Sequence, residues 1–256
     1  MKTAPEWSED ALLDGRVRLV QARSGYRVAM DSVFLAAAVP ARDGDHVLDI
    51  GTGSAAAALC LARRVGGVAV DGLEIQDAMC LLAERNIGLN GVGDRVRVLS
   101  GDLLDPPAVF AGAPFAGASY DHVMANPPHL EAAKAVLPAA ADRAIAHVEG
   151  RACLADWVRF ALRMARPGAT LTFLHRFDRC EELLAQLAEG AGALQVLPLL
   201  PMAGKAAKRV LVQGRKGAAA SQNFCDGLVL HEPDGSYTKA AQAVLRTADA
   251  LVLGAV

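Results

Sequence analysis

Apolar and polar positions change rhythm at His46. Before that point, Arg16–Gln21 alternates basic and apolar residues, which predicts an edge strand. A turn at Ser24-Gly25 follows, and Asp31-Ser32 opens a helix over Val33, Phe34, Leu35 and Ala36 that Pro40 ends. From His46 onward, short apolar runs alternate with helical periods. Strands are predicted at His46–Ile50, Val68–Glu74, Arg95–Ser100, Tyr120–Ala125 and Thr170–His175. Helices are predicted at Ser54–Val65, Gln76–Asn90, Ala152–Ala165 and Asp178–Glu189, the third stopped by Pro167-Gly168. Two further strands fall near Gln195–Leu200 and Arg209–Gln213. Strands and helices alternating at this spacing imply an α/β fold, a mostly parallel twisted sheet with helices on both faces. Ligands of such sheets bind beyond the carboxyl ends of the strands, at the point where strand order reverses. The polar residues Asp49, Glu74, Asp102 and Asn126 all fall at those ends.

Composition narrows the classes. The chain has 256 residues, 53% apolar and 21% charged, enough to bury one large core with a short extension. No apolar run approaches the roughly 20 residues of a membrane-spanning helix, and Met1–Asp10 is polar and acidic rather than signal-like, so a cytoplasmic location is expected. Cys60, Cys80, Cys153, Cys180 and Cys225 are widely spaced, none as a metal-ligand pair, and read as buried free thiols. The six histidines show no ligand spacing, so no metal is expected. A net charge of −2 argues against a surface that grips nucleic acid everywhere. The charge is uneven, however: Arg16, Arg18, Arg23 and Arg27 cluster early, and Lys205, Lys208, Arg209, Arg215 and Lys216 cluster late. Either cluster could be a local RNA-facing patch or an ordinary solvated edge.

Asp49-Ile50-Gly51-Thr52-Gly53-Ser54 links the first core strand to its helix. Glycines there permit a sharp turn and close approach to a ligand. A dinucleotide fingerprint would carry a third glycine and place pyrophosphate at the helix start. Here Asp49 stands before the turn, and an acid repels pyrophosphate but can hold the ammonium of an amino-acid end, as in S-adenosylmethionine. Glu74 can accept from ribose hydroxyls, Asp102 from an adenine amine, and Leu103 can face the ring. Each acid alone could equally be a helix cap; three in order after successive strands favour a nucleoside site.

Asn126-Pro127-Pro128-His129 is the most specific motif. Two prolines fix the backbone, so the Asn126 side-chain oxygen and the Pro127 carbonyl become two preorganised acceptors. An aromatic exocyclic amine is a poor nucleophile because its lone pair is delocalised. Acceptors on both of its hydrogens favour the pyramidal form, a positional and electrostatic effect. A rigid turn after a strand is the plainer alternative.

On these residues the chain resembles the class I, Rossmann-like methyltransferases with an [Asn/Asp]-Pro-Pro-[aromatic] motif. More narrowly, it resembles the bacterial tRNA1(Val) adenosine-37 N6-methyltransferase family. The likeness runs through residues 25–36, Val47–Gly53, Gly72–Gln76, Asn86–Asn90, Gly101–Leu103 and Asn126–Pro128. It implies S-adenosyl-L-methionine at Asp49, Gly51, Gly53, Glu74, Asp102 and Leu103, with a target base at Asn126, Pro127, Pro128 and His129. It further implies residues 1–45 as an extension covering the cofactor site and 46–256 as the core. The expected substrate is adenine in tRNA. Transfer to a protein glutamine or to a small molecule stays open, since the same motif serves planar amides and His129 replaces the family's Tyr or Phe. Ala55 stands where the family has its third glycine, and residues 130–150 read as an Ala-rich loop suited to substrate choice.

Overall fold

The computed structural model describes residues 7–22, 30–110, 120–128 and 151–254. The first strands, β1 (Trp7–Leu12) and β2 (Val17–Ala22), pair antiparallel as a separate two-stranded sheet. The edge strand foreseen near residue 16 is therefore half of a hairpin. Its partner β1 is too polar and acidic to read as a strand by periodicity. Helix α1 (Met30–Ala38) follows, buried along nearly its whole length.

The core elements then arrive in order: β3 (His46–Ile50), α2 (Ala56–Arg64), β4 (Ala69–Glu74), α3 (Asp77–Leu89), β5 (Val96–Ser100), β6 (Tyr120–Ala125), α4 (Leu154–Met164), β7 (Ala165–Arg176), α5 (Cys180–Ala188), β8 (Ala191–Met202) and β9 (Arg209–Lys216). Short strands β10 (Gln222–Phe224) and β11 (Leu228–His231) follow, then a turn of helix, α6 (Lys239–Gln242), that runs into a π-helical turn at Ala243–Thr247. The nine-stranded sheet runs β10-β8-β9-β7-β6-β3-β4-β5, with β11 also on β8. Only β9 is antiparallel to its neighbours. Chain order reverses between β3 and β6, which pair directly from Val47↔His122 to Ile50↔Ala125. The ligand crevice of a doubly wound sheet is thus set between Asp49-Ile50-Gly51 and Asn126.

The α/β expectation holds, with differences of detail. Strand β7 starts at Ala165, before Pro167-Gly168. The register between β6 and β7 shifts there, from Tyr120↔Ala165 to His122↔Thr170, so the Pro167-Gly168 stretch bulges out of the pairing. Residues 130–150 and His129 lie outside the described residues.

Two cores cover the sheet faces. One gathers α1, α2 and α3 through residues such as Phe34, Leu59, Leu61 and Val70; the other gathers α4 and α5 through Leu48, Phe160, Phe173 and Leu183. At the amino ends of the strands a polar network ties the sheet together. Asp71 accepts from Arg97 (2.6 and 3.0 Å) and Tyr120 (2.8 Å) and meets His46 at 3.1 Å. These partners hold its carboxyl well below the usual range despite burial. They stand at the end of the sheet away from the candidate site, so the network is structural.

The β1–β2 hairpin is held by amide side chains. Asn86 accepts from the Val20 N–H (2.7 Å) and donates to the Val20 and Ser54 carbonyls (3.2 and 3.1 Å). One helical turn later, Asn90 accepts from the Arg18 N–H and donates to the Arg18 carbonyl (2.9 and 2.7 Å). Two carboxamides at i and i+4 share one helix face, and here they imitate a neighbouring strand for β2. The spacing Asn86–Asn90 is therefore a hairpin clamp.

Candidate active site

Strand β3 delivers Asp49 to the carboxyl end of the sheet with 2% exposure. Its Oδ2 accepts from the Thr52 hydroxyl at 2.7 Å. Burial pushes its carboxyl up to about 7; the Thr52 bond opposes the shift and the nearby Glu74 charge adds to it. Opposite Asp49 in the sheet is Gly72, and a Cβ there would come within 2.6 Å of Thr52 Cγ2. The glycine of Gly72-Leu73-Glu74 is thus required by the side chain that positions Asp49.

The turn itself needs its glycines. Gly51 and Gly53 have φ of +68° and +56°, and a Cβ on Gly51 would lie 2.5 Å from the Trp157 ring. Ala55 occupies the same left-handed region, φ +65°. The replacement of a third glycine is therefore felt in the backbone, at about 1–2 kcal/mol for a residue with a Cβ. Its methyl fits in the core, 1% exposed.

Glu74, at the end of β4, binds this turn. Its Oε2 accepts from the Gly53 N–H and its Oε1 from the Gln76 N–H, both at 2.9 Å. Burial raises its carboxyl, and these backbone bonds hold the shift back. A carboxylate has about four acceptor positions, so these two bonds do not by themselves saturate it. Ile75, the next residue, is 57% exposed and presents an apolar surface beside them. Asp102 follows β5; its Oδ1 accepts from the Leu104 N–H at 2.9 Å, and its Oδ2 lies 3.5 Å from Arg151. Leu103 is half-buried against the α4 core.

On the other side of the crevice, β6 ends at Ala125 and Asn126-Pro127-Pro128 leaves the sheet. Pro127 is buried. The Asn126 Oδ1 is buried and has no hydrogen-bond partner among the described residues, and neither have the Trp157 Nε1 and the Ser54 Oγ. A buried unsatisfied acceptor costs about 1–3 kcal/mol, so a fixed one at the ligand end of a sheet suits a ligand that donates a hydrogen bond. Two buried acids beside a glycine turn repel phosphate and suit an ammonium and ribose hydroxyls, so this donor set fits S-adenosylmethionine.

The structure thus brings Asp49, Gly51, Gly53, Glu74, Asp102, Leu103, Asn126, Pro127 and Pro128 to one end of the sheet. His129 is outside the described residues. Trp157 and Ile75 were not anticipated. Trp157 carries no local signal, being one aromatic on an amphipathic helix, whereas Ile75 could have been flagged as an apolar residue directly after a strand-end acid. Other expectations need correction. Among the cysteines, Cys153 is exposed and Cys225 only half-buried, because both sit in connections. Arg209 donates to Asp31 (3.0 Å), anchoring α1 to β9, and is not a free cation. Arg18 pairs with Glu9, and Arg16 donates to the Thr247 carbonyl. Among the described residues no helix is long and apolar enough to cross a membrane, and no cluster of potential ligands suits a metal.

Comparison with known proteins agrees with this geometry. Residues 47–149 match the family model described as a methyltransferase domain. A tRNA1(Val) (adenine(37)-N6)-methyltransferase from Tolumonas auensis is 29% identical over 220 residues, 85% of this chain and 87% of that protein. The crystal structure of a predicted O-methyltransferase from Agrobacterium tumefaciens superposes with a TM-score of 0.72 at 25% identity, covering 88% of this chain and all of that one. A geranyl diphosphate C-methyltransferase from Streptomyces coelicolor, solved with S-adenosyl-L-homocysteine, shares the fold alone: TM-score 0.54, 14% identity, 72% of this chain and 74% of that one.

Proposed function

We propose that this S-adenosylmethionine-dependent methyltransferase transfers its methyl group to the exocyclic N6 of an adenine in tRNA. The observation that carries the reading is the buried, unpartnered Oδ1 of Asn126. It lies one residue past the end of β6, where Ala125 pairs with Ile50 across the strand-order reversal, next to the turn that follows Asp49. The substrate class is taken from the relative in Tolumonas auensis, a tRNA1(Val) (adenine(37)-N6)-methyltransferase.

In this reading Asp49 would receive the ammonium of S-adenosyl-L-methionine, and Glu74 would accept from the ribose hydroxyls. Asp102 faces the adenine amine, with Leu103 and Ile75 offering apolar surface. The bound cofactor supplies a methyl group on a positively charged sulfur. Asn126 Oδ1 and the Pro127 carbonyl each accept one hydrogen of the target amine, and Pro128 keeps that carbonyl from turning away. The nitrogen lone pair is thereby freed from the ring. With the cofactor bound, methyl transfer to that nitrogen would leave the bonding electron pair on the cofactor's sulfur and release the surplus amine proton to water, because neither carbonyl oxygen is basic enough to keep it. No strong base is needed, since the gain lies in position and preorganised dipoles. His129, which lies outside the described residues, is the candidate to stack on the target base.

The test is nucleoside mass spectrometry of tRNA from cells with and without the gene, paired with methylation of unmodified tRNA by the purified chain. We expect one N6-methyladenosine to disappear from the deletion strain and to be restored in vitro. Unchanged tRNA from the deletion strain, with methylation of a glutamine peptide or small molecule instead, overturns the reading.

A further inference from the structure

Phe177 is an apolar ring left 37% exposed at the carboxyl end of β7. Its place follows from strand register. Ala125 of β6 lies opposite Phe173 of β7, and Arg176 lies opposite Arg209 of β9. The Phe177 N–H donates to the Lys208 carbonyl at 3.2 Å. Neighbouring strands are about 5 Å apart. The Asn126–Pro128 segment, Phe177 and Lys208 therefore leave the sheet on three adjacent tracks at its carboxyl end.

The charges around the ring separate into two kinds. Arg176 is paired with Asp178, and Arg179 with Glu182, so these two are neutralised locally. Glu181 is the remaining acid of that turn and is exposed. Arg209 is held by Asp31. Lys205 and Lys208, on the connection from β8 to β9, are exposed and pair with no acid among the described residues. An exposed phenyl ring with two uncommitted ammonium groups beside it has the make-up of a single-stranded nucleic-acid platform. The ring takes a base by stacking, and the cations take the phosphates.

We propose that Phe177 stacks a nucleotide flanking the target adenine, while Lys205 and Lys208 contact its phosphates, so that the loop is gripped one strand-track away from where it is methylated. This inference rests on the tRNA reading above. The arrangement suits an unpaired loop, since a base stacked in a duplex offers no free face to the ring.

Steady-state methylation of tRNA by the full chain tests it. Phe177→Ala should raise KM for tRNA about tenfold, in keeping with the loss of one stacked base. Its kcat and its affinity for the cofactor should stay at the wild-type level. Phe177→Tyr should restore KM, which a merely structural defect would not predict. The double variant Lys205→Ala/Lys208→Ala should flatten the dependence of log affinity on log salt by about 1.4 units, two single-stranded phosphate contacts. If the wild type methylates tRNA while Phe177→Ala keeps its KM, or Tyr is no better than Ala, the platform is refuted and the tRNA reading stands. A wild type inactive on tRNA refutes both.

Discussion

Asp49→Asn should stabilise the cofactor-free protein at neutral and alkaline pH while weakening its hold on the cofactor. In the folded chain burial lifts the Asp49 carboxyl from 3.8 to about 7. A group whose folded pKa lies above its unfolded value favours folding fully below the unfolded pKa. That contribution is lost as pH climbs to the folded pKa. The window is therefore about pH 4 to 7. Across it the ionised carboxylate costs at most on the order of 4 kcal/mol, at about 1.4 kcal/mol per pKa unit. Asparagine keeps an acceptor for the Thr52 hydroxyl, has no charge to desolvate and does not titrate. Denaturant unfolding of both proteins at pH 4, 5, 6, 7 and 8 is the assay. The advantage of the variant should be near zero at pH 4, grow through pH 5–7 and level off above. Saturating cofactor should shrink it, because an ammonium against Asp49 lowers its pKa and compensates the buried charge. Parallel stability profiles for the two proteins would falsify the argument that a desolvated acid is stored here for a cationic ligand.

The remaining predictions follow from named contacts. Glu74→Gln should weaken cofactor binding by roughly 1–3 kcal/mol, since an amide cannot accept from two ribose hydroxyls while still accepting from the Gly53 and Gln76 N–H groups; calorimetry that finds unchanged affinity removes Glu74 from the site. Asn126→Ala should cut kcat by about 100-fold or more and leave cofactor affinity nearly intact, as it deletes one preorganised acceptor. Normal turnover would make the motif only a turn. Asn86→Ala should destabilise the fold by roughly 2–4 kcal/mol, because a buried N–H and two carbonyls lose a partner at once. Hydrogen exchange should show the Val20 amide opening first, and an unchanged denaturation midpoint would contradict the clamp.

Much of this molecule follows from local pattern. The boundaries of β3 and β6 match the strands expected at 46–50 and 120–125 to the residue, because their apolar stretches Val47–Leu48 and Val123–Ala125 are buried inside the sheet. Asp49, Glu74, Asp102 and Asn126 could be marked because each is a polar residue interrupting or closing such a run, and a parallel sheet sends all such ends to one side. Strand β1 was not legible, because its stability comes from β2 across the pair and not from its own periodicity. Nor were β10 and β11, short edge strands that exist only where β8 offers an open flank.

What only the tertiary structure decided concerns partners distant in sequence. The sequence marked Gly51 as a turn residue; the fold adds that the ring of Trp157 occupies the space of its missing Cβ. The sequence listed Arg209 with the lysines as one basic cluster. The packing of α1 against β9 commits that arginine to Asp31, 178 positions away, and leaves Lys205 and Lys208 as the exposed pair. Asp49 reads from the sequence as an ordinary acid, and only its desolvation in the folded sheet raises it to about 7. Residue types and their spacing determine which chemistry is available. Burial and long-range neighbours determine which groups are charged, which are already satisfied and which are left facing a ligand, because solvation and hydrogen bonding act through space and not along the chain.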